Sequence, residues 1–254
     1  MSIQTKEELA AMKRIGQIVG SVLKSMTAYA QPGMTTLELD NYGNELLKKE
    51  GARSAPKVMY NFPGYTCIGV NAVAAHGIPS EKVVLKEGDL VNIDVSAELD
   101  GYFSDNGGSF ILGADIQNLN PLVETSKRAL MKAINQIKTG KKISEFGRIV
   151  EMEARHNGFK VLKNLVGHGI GRALHEAPHE IPSYYDKHSN ARFKKNMVVA
   201  VETFISTKSQ YVYEQKDGWT MMAKDGSFVA QHEHTIMVTD GAPVIFTTSN
   251  GIRL

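Results

Sequence analysis

The chain has 254 residues, of which 42% are hydrophobic and 22% are charged, and its formal net charge is +2. This balance is typical of a globular protein with one large domain or two small ones, and it argues against a protein built to bind nucleic acid or an anionic membrane. No run of eighteen apolar residues and no signal-peptide pattern occurs, and Cys67 is the single cysteine. We therefore expect a cytoplasmic monomer without an internal disulfide.

Two amphipathic helices are predicted at the start of the chain. The first begins after Thr5, which has a Glu three residues later, and its apolar residues recur every three or four positions until the Pro-Gly pair at 32–33. The second begins after Thr35, which also has a Glu three residues later, and ends at Gly51. We expect loop and strand from 53 to 73.

A β-hairpin with two acidic residues is predicted next. Val91–Ala97 and Tyr102–Ile111 are rich in strand-forming residues, and Asp100–Gly101 between them is a strong two-residue turn signal. In that register Asp94 faces position 107, so Asp105 lies diagonally from Asp94 on the same face. Two converging carboxylates suit a cation, although a lone pair of this kind is more often an exposed acidic surface. Further ligands have to decide between these interpretations.

The second half of the chain repeats the order of the first. Helices are predicted from Asn120 to Gly140 and from Ser144 to Gly158, followed by strands at 160–166, 197–201 and 228–238. The distances from Gly33 to Gly140 and from Gly51 to Gly158 are both 107 residues. This common offset predicts two related halves, although it rests on turn residues rather than on extended identity.

The same offset supplies two further acids. Advancing from Asp94 by 108 positions leads to Glu202, at the end of the strand 197–201. Glu233 would correspond to Asp105 at an offset of 128, and the twenty extra residues fit an added loop or hairpin around Asp217–Gly218. Four acids from two related hairpins are therefore predicted to meet.

The predicted fifth ligand is His168, in the sequence GHGIG. Glycines on both sides let the backbone approach a metal without crowding the imidazole. One histidine among four acids suits two divalent ions such as manganese, iron, cobalt or zinc rather than a structural zinc. Two ions roughly 3.5–4 Å apart can activate a bridging water and polarise a carbonyl, which is the chemistry of hydrolysis. His76 and His175 lie next to turn residues and suit donors that face either a metal ligand or the substrate. The remaining five histidines are interpreted as ordinary surface or core residues.

Six sequence features together resemble the type I methionine aminopeptidases: NIDV with Asp94, Asp105 eleven residues later, GHGIG with His168, LHEAP with His175, VETFIS with Glu202 and QHEHT with Glu233. The resemblance covers nearly the whole chain. It implies an α/β pita-bread fold, in which a pseudo-twofold repeat forms a central curved antiparallel sheet flanked by helices. We expect one catalytic domain over residues 1–254, with halves at about 5–112 and 118–240 and no N-terminal extension.

The resemblance also implies a role for each ligand. Asp94 and Asp105 chelate one metal, and His168 and Glu202 complete the other. Asp105 and Glu233 bridge the two ions. The physiological metal stays open among cobalt, manganese, iron and zinc.

The remaining site residues are implied in the same way. His175 holds the scissile amide, His76 is a second donor near the substrate, and Glu202 passes a proton from the bridging water to the leaving amine. The methionine side chain should enter an apolar, sulfur-tolerant pocket whose lining residues, with Leu174 at the edge, are Tyr60, Phe62, Cys67 and Trp219. For Phe62 ordinary packing is an equal alternative, and Cys67 could be an inert buried thiol.

The implied activity is removal of the initiator methionine from nascent proteins whose second residue is small, by a metal-activated hydroxide that attacks the scissile carbonyl. The partners would be nascent N-termini and, transiently, the ribosome, with no nucleic acid or membrane. Three positions depart from the family pattern, namely Ala72, Asn106 and Thr203, where Glu, Thr and Pro are expected. None is a predicted ligand, so these departures concern rate and metal preference. They also raise the chance of an accessory copy, and the choice between an accessory and a main enzyme stays open.

Other classes fit the sequence less well. Proline-directed peptidases and creatinase of this fold usually carry an additional N-terminal domain, and type II enzymes carry a long insert between the two glutamates, which here are only 31 residues apart. A non-catalytic binding protein would not need all five ligands and both histidines. A mononuclear oxygenase usually has two histidines and one carboxylate, and this set has too many acids.

Overall fold

The computed structural model describes residues 1–253. Its first half contains α1 (Lys6–Tyr29), α2 (Thr36–Lys49), β1 (Arg53–Ser54), α3 (Ala55–Tyr60), β2 (Cys67–Val70), β3 (Val73–Ala75), β4 (Leu90–Leu99) and β5 (Tyr102–Ile111). The second half contains α4 (Asn120–Ile134), α5 (Ile143–His156), β6 (Lys160–Val161), β7 (Val166–Gly169), β8 (Glu176–Pro182), β9 (Val198–Ser206), β10 (Tyr213–Glu214), β11 (Met221–Met222), β12 (Val229–Met237), β13 (Val244–Ile245) and a 3₁₀ turn (Thr248–Asn250). Each half therefore runs from two long helices to a pair of long strands.

The predicted helix starts are confirmed by their caps. The Thr5 side chain accepts a hydrogen bond from the Glu8 backbone N–H at 3.2 Å. At α2 the capping box is complete, because Thr35 caps the Glu38 N–H and the Glu38 carboxylate accepts from the Thr35 N–H at 2.8 Å. These bonds satisfy backbone donors that a helix leaves unpaired at its first turn.

The long strands form one antiparallel sheet in the order β1-β4-β5-β12-β9-β7-β8, with β2 also paired to β4 and β6 to β9. Helix α1 packs on β4 and β5 through residues such as Met12, Ile15 and Val19, and α2 packs beside α1. Helix α4 packs on β9 and β12 through Leu130, and α5 packs beside α4 and β8 through Phe146. Each fully buried side chain of this size contributes roughly 1.5–3 kcal/mol. The predicted α/β architecture, a large antiparallel sheet flanked by helices, is confirmed.

The first hairpin has the predicted register. Asp94 pairs with Gly107 and Asp105 pairs with Ser96, so the two carboxylates are diagonal neighbours. The turn residues Asp100 and Gly101 have φ values of 52° and 80°, as a two-residue turn of type I′ requires.

Three local predictions were wrong. Residues 160–166 do not form one strand, because the pairing with β9 shifts by two residues between Val161 and His168 and the chain leaves the ladder there. The region 53–73 contains the unpredicted helix α3, which Ser54 caps by accepting from the Lys57 N–H. Glu202 lies in the middle of β9 rather than at a strand end.

The segment between the two glutamates forms the predicted additional hairpin. Strand β10 pairs with β11, and β11 also pairs with β3 of the first half. This small sheet brings Trp219 towards the region of His76. Within residues 1–253 no helix is both long and apolar enough to cross a membrane.

Candidate metal centre and substrate cavity

Carboxylates from the two hairpins meet on one face of the sheet. Glu202 and Glu233 are directly opposite each other on β9 and β12. Strand β12 meets β5 at the pair His232–Gly108, which places Glu233 beside Gly107, the residue that Asp94 faces from the other side. The repeat is therefore inexact, since the acids are diagonal in the first hairpin and directly opposed in the second.

Gly107 and Gln231 form the floor between these acids. A Cβ atom at Gly107 would collide with the Gln231 amide, so the glycine leaves the room that the amide occupies. Gln231 Nε2 donates to Glu202 at 3.2 Å and to Glu233 at 3.0 Å, and Asn92 Nδ2 donates to Gln231 Oε1 at 2.8 Å. Gln231 is not among the residues predicted from the sequence, although its position two residues before Glu233 on the same strand face could have indicated it.

His168 faces the carboxylates from β7. The hydrogen bond from Nδ1 to the Gly169 carbonyl, at 3.0 Å, assigns the proton to Nδ1 and leaves a lone pair on Nε2. Nε2 lies 4.0 Å from Asp105 Oδ2, and Asp105, His168 and Glu233 offer ligand atoms that all lie within 4.8 Å of one another. Burial, together with the nearby His175, lowers the pKa of His168 to about 3, so the imidazole is neutral at pH 7 and able to bind a metal.

Burial and mutual repulsion disfavour the ionised forms of these four acids. Burial raises the pKa of Asp94 to about 6, and burial together with repulsion from Asp94 raises the pKa of Glu202 to about 8. Burial and like charges also hold the pKa values of Asp105 and Glu233 well above their ordinary values. Asp105 Oδ1 and Glu233 Oε1 are buried without a hydrogen-bond partner among residues 1–253. Oxygen donors with these unpaired atoms, beside a neutral imidazole, fit hard or borderline divalent ions.

A cavity of about 470 Å³ opens onto this cluster. Its lining includes every site residue predicted from the sequence: Tyr60, Phe62, Cys67, His76, Asp94, Asp105, His168, Leu174, His175, Glu202, Trp219 and Glu233. It also includes eight residues that were not predicted as site residues: Pro56, Ala75, Ser96, Asn164, Leu165, Val166, His179 and Phe204. His179 is four residues after His175. Because side chains alternate along a strand, this spacing could have indicated that His179 lies on the same face as His175.

The family model of the M24 metallopeptidases matches residues 10–240. The chain belongs to metallopeptidase family M24. It is 49% identical to methionine aminopeptidase 2 of Bacillus subtilis over 97% of this chain and 99% of that protein. It is 46% identical to a methionine aminopeptidase of Staphylococcus epidermidis over 97% of this chain and 98% of that protein.

Solved structures agree with the family assignment of this M24 chain. The methionine aminopeptidase of Thermotoga maritima superposes with a TM-score of 0.92 at 33% identity, over 97% of this chain and 99% of that one. The prolidase of Pyrococcus furiosus shares the fold, with a TM-score of 0.76 at 23% identity. The match covers 96% of this chain but only 65% of the prolidase chain. The pita-bread fold is thus common to both kinds of enzyme.

One wall of the cavity in this M24 chain is apolar. Phe62 is 1% exposed and meets Trp219 edge-to-face, with ring centroids 5.2 Å apart. Cys67 pairs with Asp94 across β2 and β4, so it lies between the apolar wall and the carboxylates. Burial raises the pKa of the Cys67 thiol, which keeps it neutral and weakly nucleophilic.

The histidines at the cavity differ in their contacts. His175 lies beside His168 with ring centroids 4.1 Å apart, and its Nδ1 is 2.7 Å from the Tyr60 hydroxyl. Tyr60 is 41% exposed, so it lies at the rim and contacts His175 through its hydroxyl. His76 has a φ of 53°, a left-handed conformation that is uncommon for a non-glycine residue.

Two of the departures from the family pattern face away from the cavity. Asn106 donates to the Val95 carbonyl at 3.1 Å and accepts from Asn250 at 3.1 Å. Thr203 shares a hydrogen bond of 2.8 Å with Ser126 on α4. Both side chains are fully buried with partners, so they stabilise the back of the ligand-bearing strands. Nothing in the structure explains Ala72.

Proposed function

We propose that this chain is a metal-dependent methionyl aminopeptidase that removes the initiator methionine from proteins with a small second residue. The observation that carries the proposal is one cavity that joins five side chains of types that bind metals to an apolar wall. Hydrolysis requires the first feature, and selection of a methionine side chain requires the second. The names of the relatives, methionine aminopeptidases of Bacillus and Staphylococcus, support the same activity.

Two divalent ions are proposed as cofactors, drawn from cobalt, manganese, iron and zinc. Asp94 and Asp105 would hold one ion, His168 and Glu202 would complete the other, and Asp105 and Glu233 would bridge them. When bound, such ions supply an activated water and polarise a carbonyl. The unpaired oxygens of Asp105 and Glu233 support their place as ligands.

The chain's own histidines would stabilise the charge that develops on the substrate. A hydroxyl proton donated by Tyr60 to His175 Nδ1 leaves Nε2–H of His175 free to donate to the scissile carbonyl oxygen. His76 would supply a second donor. Glu202 would accept the proton of the attacking water and transfer it to the leaving amine.

The methionine pocket is proposed at the wall of Phe62, Cys67 and Trp219, with Leu174 at its edge. The edge-to-face pair of Phe62 and Trp219 presents flat apolar surface and ring edges, which suit a flexible thioether. Tyr60 would close the rim above His175. Ordinary packing alone would not require these side chains to line one cavity with the carboxylates.

The substrate would be met as it emerges from the ribosome, in the cytoplasm, by a monomer. A basic surface supports a transient electrostatic contact with the ribosome. The segments 138–142 and 187–195 are joined by backbone hydrogen bonds such as Phe193 N–H to the Lys141 carbonyl at 2.9 Å. Together the two segments contain seven cations: Lys138, Lys141, Lys142, Lys187, Arg192, Lys194 and Lys195. Lys195 forms an ion pair with Asp240, outside the two segments. Co-sedimentation with ribosomes that weakens as the salt concentration rises would support this contact. No co-sedimentation even at low salt would refute it.

The test of the activity is release of free methionine from the peptides Met-Ala-Ser and Met-Lys-Ser by chelator-stripped protein, with and without manganese or cobalt. Metal-dependent cleavage of the first peptide alone is expected. Glu202→Gln should abolish it, whereas Glu180→Gln, which changes an exposed acid on β8, should not. No cleavage with any metal by a protein that still binds two ions would favour a non-catalytic binding protein instead.

A further inference from the structure

The sheet is nearly unpaired where its two halves meet. Strands β4 and β5 pair at ten positions and β9 and β12 at nine, but β5 and β12 pair only at His232–Gly108. We call this junction, residues 105–109 of β5 and 231–235 of β12, the central seam. Asp105 and Glu233 lie on opposite sides of it, so the width of the seam governs the separation of these two carboxylates.

Side-chain hydroxyls replace backbone pairing on either side of that single pair. Thr235 Oγ1 accepts a hydrogen bond from the Asp105 N–H at 2.9 Å and donates to the Asp105 carbonyl at 2.7 Å. At the other end, Ser109 Oγ accepts from the Gln231 N–H at 2.9 Å. Thr235 and Ser109 are 0% and 5% exposed, so water does not readily substitute for either hydroxyl.

An inserted hydroxyl holds two strands further apart than a direct N–H···O=C bond does, because the side-chain oxygen stands between the two backbones. We propose that Thr235, assisted by Ser109, sets the width of the central seam and is a positioning residue for the metal centre. The inference rests on the proposed function, since it takes Asp105 and Glu233 as the residues that bridge the two ions.

The Thr235 hydroxyl is suited to this role because it satisfies both backbone groups of a ligand residue. Without it, the Asp105 N–H and carbonyl would be buried and unpaired, or the strands would close into a direct pair. Either change moves the Asp105 carboxylate relative to Glu233. The effect should therefore fall on binding of two ions together rather than on the fold alone.

The test is calorimetric titration of chelator-stripped protein with Mn²⁺, together with the visible spectrum of the Co²⁺ form. Thr235→Val removes the hydroxyl and keeps the shape of the side chain. It should weaken binding of the second ion by about tenfold or more and change the Co²⁺ spectrum. Thr235→Ser keeps the hydroxyl and should restore both. The matched control is Thr125→Val on α4, where a buried threonine hydroxyl donates to the Pro121 carbonyl away from the seam.

Several outcomes would overturn the proposal. Wild-type binding and spectrum in Thr235→Val would show that the seam hydroxyl does not position the ligands. Equal weakening in Thr125→Val would show a general loss of stability. If Thr235→Val does not fold, Ser109→Ala serves as the second variant and should weaken binding of the second ion by about tenfold as well. Unchanged binding in Ser109→Ala would then refute the inference. Failure of the wild-type protein itself to bind two ions would count against the proposed function instead.

Discussion

Chelator-stripped protein is expected to become less stable as the pH rises from 7 to 8.5. Burial, together with Asp94, raises the pKa of Glu202 to about 8, above its ordinary value of 4.5. The folded protein therefore binds more protons than the unfolded chain between these two values, and the stability held at low pH is lost as the pH rises through the folded pKa. Asp105 and Glu233, whose pKa values burial also raises, act with the same sign.

The range above pH 7 isolates this effect from the buried histidines. Burial lowers the pKa of His168 and His232 to about 3 and that of His234 to about 4, so these groups add stability as the pH rises towards 6.5 and little beyond it. Each pKa unit corresponds to about 1.4 kcal/mol. With a folded pKa of about 8, Glu202 alone should lower the free energy of unfolding by about 1 kcal/mol between pH 7 and 8.5.

The assay is urea unfolding of stripped and Mn²⁺-loaded protein at both pH values, followed by circular dichroism. The loaded protein should show little of this loss, because bound cations stabilise the ionised carboxylates. Glu202→Gln in the stripped protein should reduce the loss, whereas Glu180→Gln, at an exposed position, should leave it unchanged. Equal stability of the stripped wild-type protein at pH 7 and 8.5 would refute the argument from buried acids.

Three substitutions test the other assignments. His168→Ala should weaken Mn²⁺ binding on the order of 100-fold because it removes the one imidazole proposed as a ligand, and calorimetry that finds wild-type affinity would remove it from the site. His175→Ala should leave metal binding intact and lower kcat roughly 100-fold through lost stabilisation of charge, and an equal loss of metal would show that its role is misassigned. Trp219→Ala should raise KM for Met-Ala-Ser roughly tenfold with kcat little changed, and an unchanged KM would place the methionine pocket elsewhere.

Local patterns in the sequence predicted most of the elements that carry the site. The Asp-Gly turn and strand alternation determined the register that puts Asp94 and Asp105 on one face, as the pairing of Asp94 with Gly107 confirms. Capping residues likewise predicted where α1 and α2 begin. These signals work because their partners lie within a few residues of each other along the chain.

Signals for elements held by distant contacts were weaker. Residues 160–166 read as one strand, yet the chain leaves β9 between Val161 and His168. Helix α3 was missed because it is a single short helix without a repeating apolar pattern. The tyrosine predicted only as pocket lining, Tyr60, meets His175 across 115 residues of sequence.

The sequence by itself determined which side chains are acids and imidazoles, the shared strand face of Asp94 and Asp105, and the resemblance that names the family. The tertiary structure alone decided that Gln231 lies between Glu202 and Glu233, and that hydroxyls of Thr235 and Ser109 join the central seam. The physical reason is that the spacing of apolar residues and the chemistry of turns specify local geometry. Which strand lies beside another, and how wide the gap between them is, depends on packing among residues more than a hundred positions apart.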